Sequence, residues 1–226
     1  MISPTSRQNT SESSLSNVQV QINNSKYYLI SKRIIDIVFS FLGIIFLSPL
    51  LLLLAIVIKI ENREGSILYK QIRVGKGNKL FYIYKFRSMV PNAEDLKFTL
   101  INYNEASGPV FKIKRDPRVT KVGRFIRKTS LDELPQLINV IKGEMSLVGP
   151  RPPLPEEVAQ YTSYEFQRLS VIPGLTCYWQ VSGRSNISFE RWVELDLKYI
   201  EERNFLIDMR LICKTVFVLF GSKDAY

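Results

Sequence analysis

The chain has no histidine and only two cysteines among its 226 residues. Without histidine there is no imidazole base, no imidazole metal ligand and no Ser-His-Asp triad, so acid and base chemistry must use carboxylates, Lys, Tyr or water. Cys177 and Cys213 do not make a disulfide framework, and no CxxC motif is present. Both are therefore interpreted as buried thiols in a reducing compartment.

Negative charge is also scarce, with 21 Asp and Glu against 31 Lys and Arg, a formal net charge of +10. This balance indicates a polyanionic partner: a nucleic acid, an acidic membrane surface or a phosphorylated substrate. A nucleic acid is disfavoured because no recognised binding motif accompanies the charge. The absence of GxxxxGK[ST] and GxGxxG excludes a P-loop and a Rossmann fingerprint. An apolar fraction of 46% is too low for a polytopic membrane protein.

The run Ile37–Ile58 contains 22 residues without a charge. As one helix it would measure roughly 33 Å, enough to cross a bilayer. Pro49 in its middle predicts a kink, and Ser48 is placed to hydrogen-bond a carbonyl that the proline frees. Because Lys and Arg flank both ends, two interpretations stay open: a re-entrant helix that returns to its own side, or a kinked transmembrane span.

The two ends of the chain differ in character. Residues 1–26 are rich in Ser, Asn, Gln and Thr, which predicts a disordered tail, and they contain no apolar stretch typical of a cleavable signal peptide. Ser188 is predicted to cap a helix through about Glu202, with Phe189 and Trp192 in the core. Beyond it, Phe205–Phe220 is apolar but interrupted by charges, which favours an interfacial helix over a second span.

A β-hairpin is predicted after the apolar run. Ile67–Ile72 and Lys79–Phe86 are rich in Ile, Tyr and Phe, and the glycine-containing RVGKGNK supplies the turn. Because side chains alternate along a strand, Lys85 and Arg87 should share one face. This pair is either a phosphate-binding site or a solvated face.

The segment Lys112–Lys128 carries eight basic residues and a single acid, Asp116. Such a surface suits lipid headgroups, where each cation contributes about 1 kcal/mol, or a diphosphate. It leads into the run TSLDELPQLINVIKGEMSLVGPR at 129–151. That run ends with Arg151, which offers two parallel donors to a phosphate.

Two adjacent acids, Asp132 and Glu133, begin a predicted helix that ends at Gly143. Ser130-x-x-Glu133 fits a capping box. The apolar stripe that follows is Leu134, Leu137, Ile138 and Ile141. Acids at a helix N-terminus are common for dipole reasons alone. A phosphate site is the alternative, because helix N-termini also attract phosphate and cations surround this one.

Four motifs together resemble a known family. They are KFRSM at 85–89, TSLDELPQLINVIKGEMSLVGPRP at 129–152, PGLTCYWQVSGR at 173–184, and the set Trp192, Glu194, Asp196 and Tyr199. In content and order they resemble the bacterial sugar transferases, monotopic phosphoglycosyl transferases that start glycan assembly. One departure is Cys177-Tyr178, where Gly-Leu is expected before Trp179-Gln180; it bears on the identity of the sugar.

The resemblance implies a nucleophilic Asp132, supported by Glu133, that attacks the sugar-bearing phosphorus of a UDP-sugar. UMP leaves, and polyprenyl phosphate then takes the phosphosugar from the aspartate. Mg²⁺ at Asp132 is implied as the cofactor. The helix N-terminus and nearby arginines are expected to keep the pKa of Asp132 low.

The resemblance also assigns phosphate binding to Lys85, Arg127 and Arg151, and a re-entrant helix broken at Ser48-Pro49. The remaining substrate-binding candidates are Arg87, Gln180 and Arg184.

The predicted fold is α/β and rich in helix. It comprises a disordered tail (1–26), a re-entrant membrane helix (27–62), a catalytic domain with a β-hairpin (63–204), and an interfacial helix and tail (205–226). Expected partners are a UDP-sugar, undecaprenyl phosphate, membrane lipids, downstream glycosyltransferases and a second copy of the chain, without nucleic acid.

The expected location is the bacterial inner membrane, with the catalytic domain on the cytoplasmic face. The expected activity is transfer of glucose or galactose phosphate for exopolysaccharide or capsule synthesis. An N-acetylated sugar and a non-catalytic scaffold are the alternatives.

Overall fold

The computed structural model describes residues 19–182 and 187–221, in which helices surround two small sheets. The α-helices are α1 (Lys26–Glu61), α2 (Ala93–Lys97), α3 (Lys121–Lys128), α4 (Leu137–Lys142), α5 (Pro155–Val158), α6 (Ser163–Phe166), α7 (Phe189–Glu202) and α8 (Phe205–Gly221). The strands are β1 (Leu68–Val74), β2 (Leu80–Phe86), β3 (Ser146–Val148) and β4 (Gly174–Thr176). Short 3-10 segments are Lys76–Asn78, Phe98–Tyr103, Leu131–Gln136, Gln167–Ser170 and Trp179–Val181. This content agrees with a helix-rich α/β fold.

Strands β1 and β2 form an antiparallel hairpin with Gln71 opposite Ile83. Its turn requires positive φ at Gly77 (64°) and Asn78 (63°), a conformation that glycine and asparagine tolerate. Side chains alternate between the two faces of a strand. One face of the hairpin therefore carries Tyr69, Gln71, Arg73, Ile83 and Lys85.

Strands β3 and β4 pair in parallel, with Ser146 opposite Gly174. The two segments approach so closely that a Cβ on Gly174 would lie 2.0 Å from the backbone nitrogen of Gly149. Only glycine fits at such a distance. The pairing therefore holds the turn that leads to Arg151 against the start of β4.

The two largest of three apolar clusters in the described chain hold the helices to these strands. The larger one joins α7, α8 and β3 and includes Val148, Cys177, Val193, Ile200 and Leu211. The smaller one joins α1 to β2 and α3 through Leu54, Ile58, Phe86 and Ile126. The strands and shorter helices thus pack directly against the long helix.

Helix α1 is, among the described residues, the one long and apolar enough to cross a membrane. It continues as helix through Pro49, and the Ser48 hydroxyl donates to the carbonyl oxygen of Ile45 at 2.7 Å. Proline at position 49 removes the amide that would otherwise donate to this carbonyl, so Ser48 replaces the lost bond, as predicted. Phe46 is 77% exposed, and many apolar neighbours are exposed too, which requires an apolar environment. The re-entrant path itself stays a prediction.

Polar side chains near the start of α1 fasten it to the domain. The buried Asp36 carboxylate accepts hydrogen bonds from the Leu147 amide at 2.9 Å and the Ser146 hydroxyl at 3.0 Å. Arg33 donates to two carbonyl oxygens in the last turn of α4, at 2.6 and 2.7 Å. A cation there also matches the negative end of the helix dipole.

The predicted tail boundary at residue 26 is wrong. The Val20 amide donates to the Gln167 side chain at 2.8 Å, and Arg203 donates to the Asn23 carbonyl oxygen at 2.7 Å. Val20 and Ile22 also pack against the larger apolar cluster. Residues 19–25 therefore lie on the domain, because two apolar side chains within a polar stretch provide an anchor. Residues 1–18 lie outside the described residues.

Helix α8 occupies most of the predicted interfacial segment, but Asp208 is not a surface interruption. It is 5% exposed and lies 2.8 Å from Lys32 of α1, with further hydrogen bonds from Tyr28 and Tyr199. This buried ion pair therefore joins α1 to α8. The prediction of two buried thiols holds for Cys177 and is wrong for Cys213, which is exposed on α8.

Replacing Asp36 by alanine should destabilise the fold by about 2–4 kcal/mol, because a half-buried amide and a buried hydroxyl lose their acceptor. Unfolding of the detergent-solubilised protein measures the change. Asp95→Ala, at an exposed position, is the control and should stay within about 0.5 kcal/mol of wild type. Equal effects of the two substitutions would contradict this anchoring role.

Candidate active site

Asp132 and Glu133 lie in the 3-10 segment Leu131–Gln136, directly before α4. Ser130 precedes them with φ of 55°, and its side chain makes no capping hydrogen bond, so the predicted capping box is wrong. An N-cap residue normally has extended backbone angles, whereas the left-handed backbone at Ser130 turns its side chain away from that role. Pro135 belongs to the same tight segment. The Glu133 side chain is consequently available to other partners.

The hairpin face, the 3-10 segment and the turn after β3 surround a cavity of about 790 Å³. This volume lies in the range of small-molecule sites. Seven predicted site residues line the cavity: Lys85, Arg87, Arg127, Asp132, Glu133, Arg151 and Gln180. Arg184 lies outside the described residues. Ser48 and Pro49 lie on α1 and are not among the residues that line the cavity.

Glu133 is held by two cations. Lys85 Nζ lies 2.6 Å from Glu133 Oε1, and Arg151 Nη1 lies 3.8 Å from the same oxygen. Asp132 is 8% exposed, and no Lys or Arg nitrogen of the described chain lies within 4.0 Å of its carboxylate. The two neighbouring acids therefore have different environments: one is paired, and the other is buried without an ion pair.

The pKa values of the two acids move in opposite directions. Burial raises the pKa of Asp132, although Lys85 and Arg127 act against it. Burial would also raise the pKa of Glu133, but Lys85 and Arg151 outweigh it and hold that pKa below its usual range. The expected low pKa of Asp132 is therefore wrong for the free protein, because lost hydration exceeds the effect of the nearby cations.

The remaining predicted residues take positions around this pair. Arg87 donates from Nε and Nη2 to the backbone and side-chain oxygens of Ser66, at 2.8 and 2.7 Å, which ties it to the loop before β1. Arg127 is in the last turn of α3 and acts electrostatically on Asp132. Gln180 Nε2 donates to the carbonyl oxygen of Leu175 at 3.3 Å.

Three residues of β1 that sequence reasoning missed line the same cavity: Tyr69, Gln71 and Arg73. The alternation that placed Lys85 on one face of β2 applies equally to β1 and would have found them. Alternation alone did not identify these residues, because the register of β1 with β2 and the position of the cavity are known only from the folded chain. Arg73 is the notable member, since it is a buried cation.

An aromatic wall bounds another part of the cavity. The Trp179 and Trp192 rings lie 4.5 Å apart between centroids, and both line the cavity. Phe189 is buried in the core and also reaches the cavity. The core interpretation of Phe189 is confirmed, while Trp192 is half-buried and contributes a cavity surface as well.

Other motif residues stabilise the fold rather than line the cavity. Asp196 and Arg168 form a fully buried ion pair at 2.8 Å, and Tyr199 donates to the carbonyl oxygen of Val148 at 3.1 Å. The Cys177-Tyr178 departure lies in this part too. Cys177 is fully buried, and neither residue is among those that line the cavity.

The carboxylate oxygens at this site would bind a divalent cation only together with oxygens from a bound ligand or water. Among the described residues no three Asp, Glu, Cys or His side chains cluster as a metal cage. Mg²⁺ does not require one, because it is commonly held by one or two carboxylates together with waters and substrate phosphates. Asp132, buried and without an ion pair in the described chain, has the oxygens for such a role, whereas Glu133 is already paired.

Comparison with known proteins identifies the class. A family model described as bacterial sugar transferase matches residues 27–222. The galactosyl transferase CpsE of Streptococcus agalactiae is 45% identical over 197 residues, which are 86% of this chain and 43% of that protein. The undecaprenyl-phosphate galactose phosphotransferase of Salmonella typhimurium is 43% identical over 203 residues, 86% of this chain and 41% of its own. The exopolysaccharide production protein ExoY of Sinorhizobium fredii is 40% identical over 201 residues, 87% of this chain and 88% of ExoY.

The chain therefore belongs to the bacterial sugar transferase family, in agreement with its motifs. It spans less than half the length of the first two relatives, at 43% and 41%, and most of the length of ExoY, at 88%.

Asp132→Asn should stabilise the free protein at about pH 8 without divalent cations, by roughly 1–3 kcal/mol, because it removes a buried charge. The folded pKa of Asp132 lies above its unfolded value, so the wild-type protein loses stability as pH rises through the folded pKa. The gain should therefore shrink towards about pH 5. Unfolding midpoints at both pH values measure it.

Glu133→Gln is the control for this measurement. The folded pKa of Glu133 is lowered, so its charge stabilises the protein above the unfolded pKa, and its removal should destabilise at about pH 8. A gain for Asp132→Asn that is equal or larger at the lower pH would contradict the assignment of a raised pKa.

Proposed function

We propose that this protein is a phosphoglycosyl transferase that moves a sugar-1-phosphate from a UDP-sugar to undecaprenyl phosphate. The observation that carries the proposal is the difference in environment between two neighbouring acids. Glu133 is occupied by Lys85 and Arg151, whereas Asp132 is buried and forms no ion pair within the described chain. Asp132 is therefore the attacking group, because no ion pair with Lys or Arg stabilises its carboxylate, and Glu133 holds the cations in place.

The reaction consists of two displacements at one phosphorus. An Asp132 carboxylate oxygen attacks the phosphorus that bears the sugar, a P–O bond forms, and the bond to the UMP oxygen breaks as UMP leaves with the electron pair. An oxygen of undecaprenyl phosphate then attacks the same phosphorus and releases the carboxylate. Both attacking groups are anions, so no base has to remove a proton, which suits a chain without histidine.

The surrounding charges support each displacement. A weakly hydrated carboxylate, as burial makes Asp132, is a stronger nucleophile than one in water. Lys85, Arg127 and Arg151 would offset the charge of the phosphates as the two anions approach. Asp132 is the residue that would hold Mg²⁺, and a bound Mg²⁺ would neutralise further phosphate charge.

Helix α1 supports a re-entrant attachment to the membrane. A crossing helix needs about 20 residues in the hydrocarbon core. Before Pro49, a Cβ on Gly43 would lie 3.3 Å from Leu137 of α4; after it, Leu54 and Ile58 are buried against the domain. Both halves thus contact one domain, which is proposed to lie on the cytoplasmic face of the inner membrane.

A plain hexose is the proposed sugar, because two of the relatives are named for galactose. Experiment distinguishes galactose from glucose, and both of these from the alternative, an N-acetylated sugar. A panel of UDP-sugars, each supplied with undecaprenyl phosphate and read out by UMP release, ranks the donors. The donor with the highest kcat/KM identifies the sugar.

Asp132→Asn should reduce UMP release by about 10³-fold or more, because the covalent route is lost. Wild-type protein given the donor alone should retain a phosphohexose on Asp132, detected by peptide mass spectrometry. The control, Asp95→Asn at an exposed site, should keep wild-type turnover. Full activity of Asp132→Asn would exclude the covalent mechanism. No UMP from any donor with the wild-type protein would instead support a scaffold role.

A further inference from the structure

Arg73 is a buried cation in the cavity wall. It is 5% exposed and lies on the cavity face of β1. Its Nη1 donates to the carbonyl oxygen of Pro152 at 3.1 Å, and its Nη2 donates to Gln71 Oε1 at 2.7 Å. Its Nε is buried and has no hydrogen-bond partner among the described residues. No carboxylate oxygen of the described chain lies within 4.0 Å of its guanidinium nitrogens.

Each of the other buried arginines of the described chain either forms an ion pair with a carboxylate or lies away from the cavity. Arg118 and Arg168 lie 2.6 and 2.8 Å from a carboxylate oxygen. Arg203 donates from Nε and Nη2 to the carbonyl oxygen of Asn23 and does not line the cavity. Burying a cation without a counter-charge is costly, because the cation loses its hydration. Arg73 alone among these four combines such burial with a place on the cavity wall and a buried donor left over.

Charge balance around the acid pair indicates what this cation binds. The cations that act on Asp132 and Glu133 are Arg73, Lys85, Arg127 and Arg151. Glu157 also acts on Arg73, so four positive and three negative charges leave a net charge of +1. Burial and the neighbouring Arg151 lower the pKa of Arg73 to about 10, which still leaves it charged at neutral pH. A nucleoside diphosphate ester, with about two negative charges, would supply the counter-charge that this group lacks.

We infer that Arg73 binds the diphosphate of the donor and that Gln71 orients its guanidinium for this contact. The neutral Gln71 amide holds one edge of the guanidinium without cancelling its charge. The bond to the Pro152 carbonyl joins Arg73 to the residue after Arg151, so both cations belong to one unit. This inference rests on the proposed function and adds a donor-binding residue to the same cavity.

Gln71→Glu is the sharper test, because it nearly keeps the size of the side chain and places a carboxylate beside Arg73. The new ion pair would compete with the diphosphate. The KM for the UDP-sugar and the Kd for UDP, measured by calorimetry, should each rise about tenfold or more, with kcat within about threefold of wild type. The unfolding midpoint should be unchanged or higher. Unchanged KM and Kd in the folded variant would overturn the inference.

Arg73→Lys is compared with Arg203→Lys, a matched substitution at another arginine that is 5% exposed and donates to a backbone carbonyl. Lysine keeps the charge but loses the planar donors. Only Arg73→Lys should raise the Kd for UDP, by about tenfold. Equal Kd values for the two variants would overturn the inference, and Gln71→Glu still decides it if Arg73→Lys does not fold. A wild-type protein that releases no UMP would instead reject the proposed function, which separates the two failures.

Discussion

The short contact between Lys85 and Glu133 is the interaction on which the site depends. It joins β2 to the 3-10 segment before α4 and gives one of two adjacent acids a counter-charge. Asp132 remains buried without an ion pair in the described chain, so its charge is poorly stabilised in the free protein. A buried charge that lowers stability in this way is common at functional sites.

Helix α1 holds the elements on either side of the acid pair. Asp36 and Arg33 of α1 hold β3 and α4, and these two elements flank the acid pair and Arg151. Attachment to the membrane and geometry of the cavity therefore share one helix. The contact of Gly43 with α4 brings the apolar surface of α1 next to the elements that carry the proposed nucleophile, where a lipid phosphate would have to arrive.

Local patterns predicted local structure well. The hairpin, the stop of α4 at Gly143 with φ of 86° and the Ser188 cap of α7 all formed where turn and capping chemistry placed them. The Ser48 bond to Ile45 also follows from the chemistry of proline alone. The capping box at Ser130 failed because the backbone there is left-handed, which a four-residue pattern does not reveal. The tail boundary failed because composition averages hide single anchoring residues such as Val20.

The sequence by itself determined the chemical groups: no imidazole, an excess of cations, an adjacent acid pair, a long apolar run with a proline inside it and the motifs of one family. Tertiary structure decided which acid is paired, in which direction each pKa moves, and which cations share the cavity. These properties depend on burial and on distances between residues far apart in the chain, such as Lys85 and Glu133. Arg73 shows the same limit, because its role appears only when β1 is seen against the turn after β3.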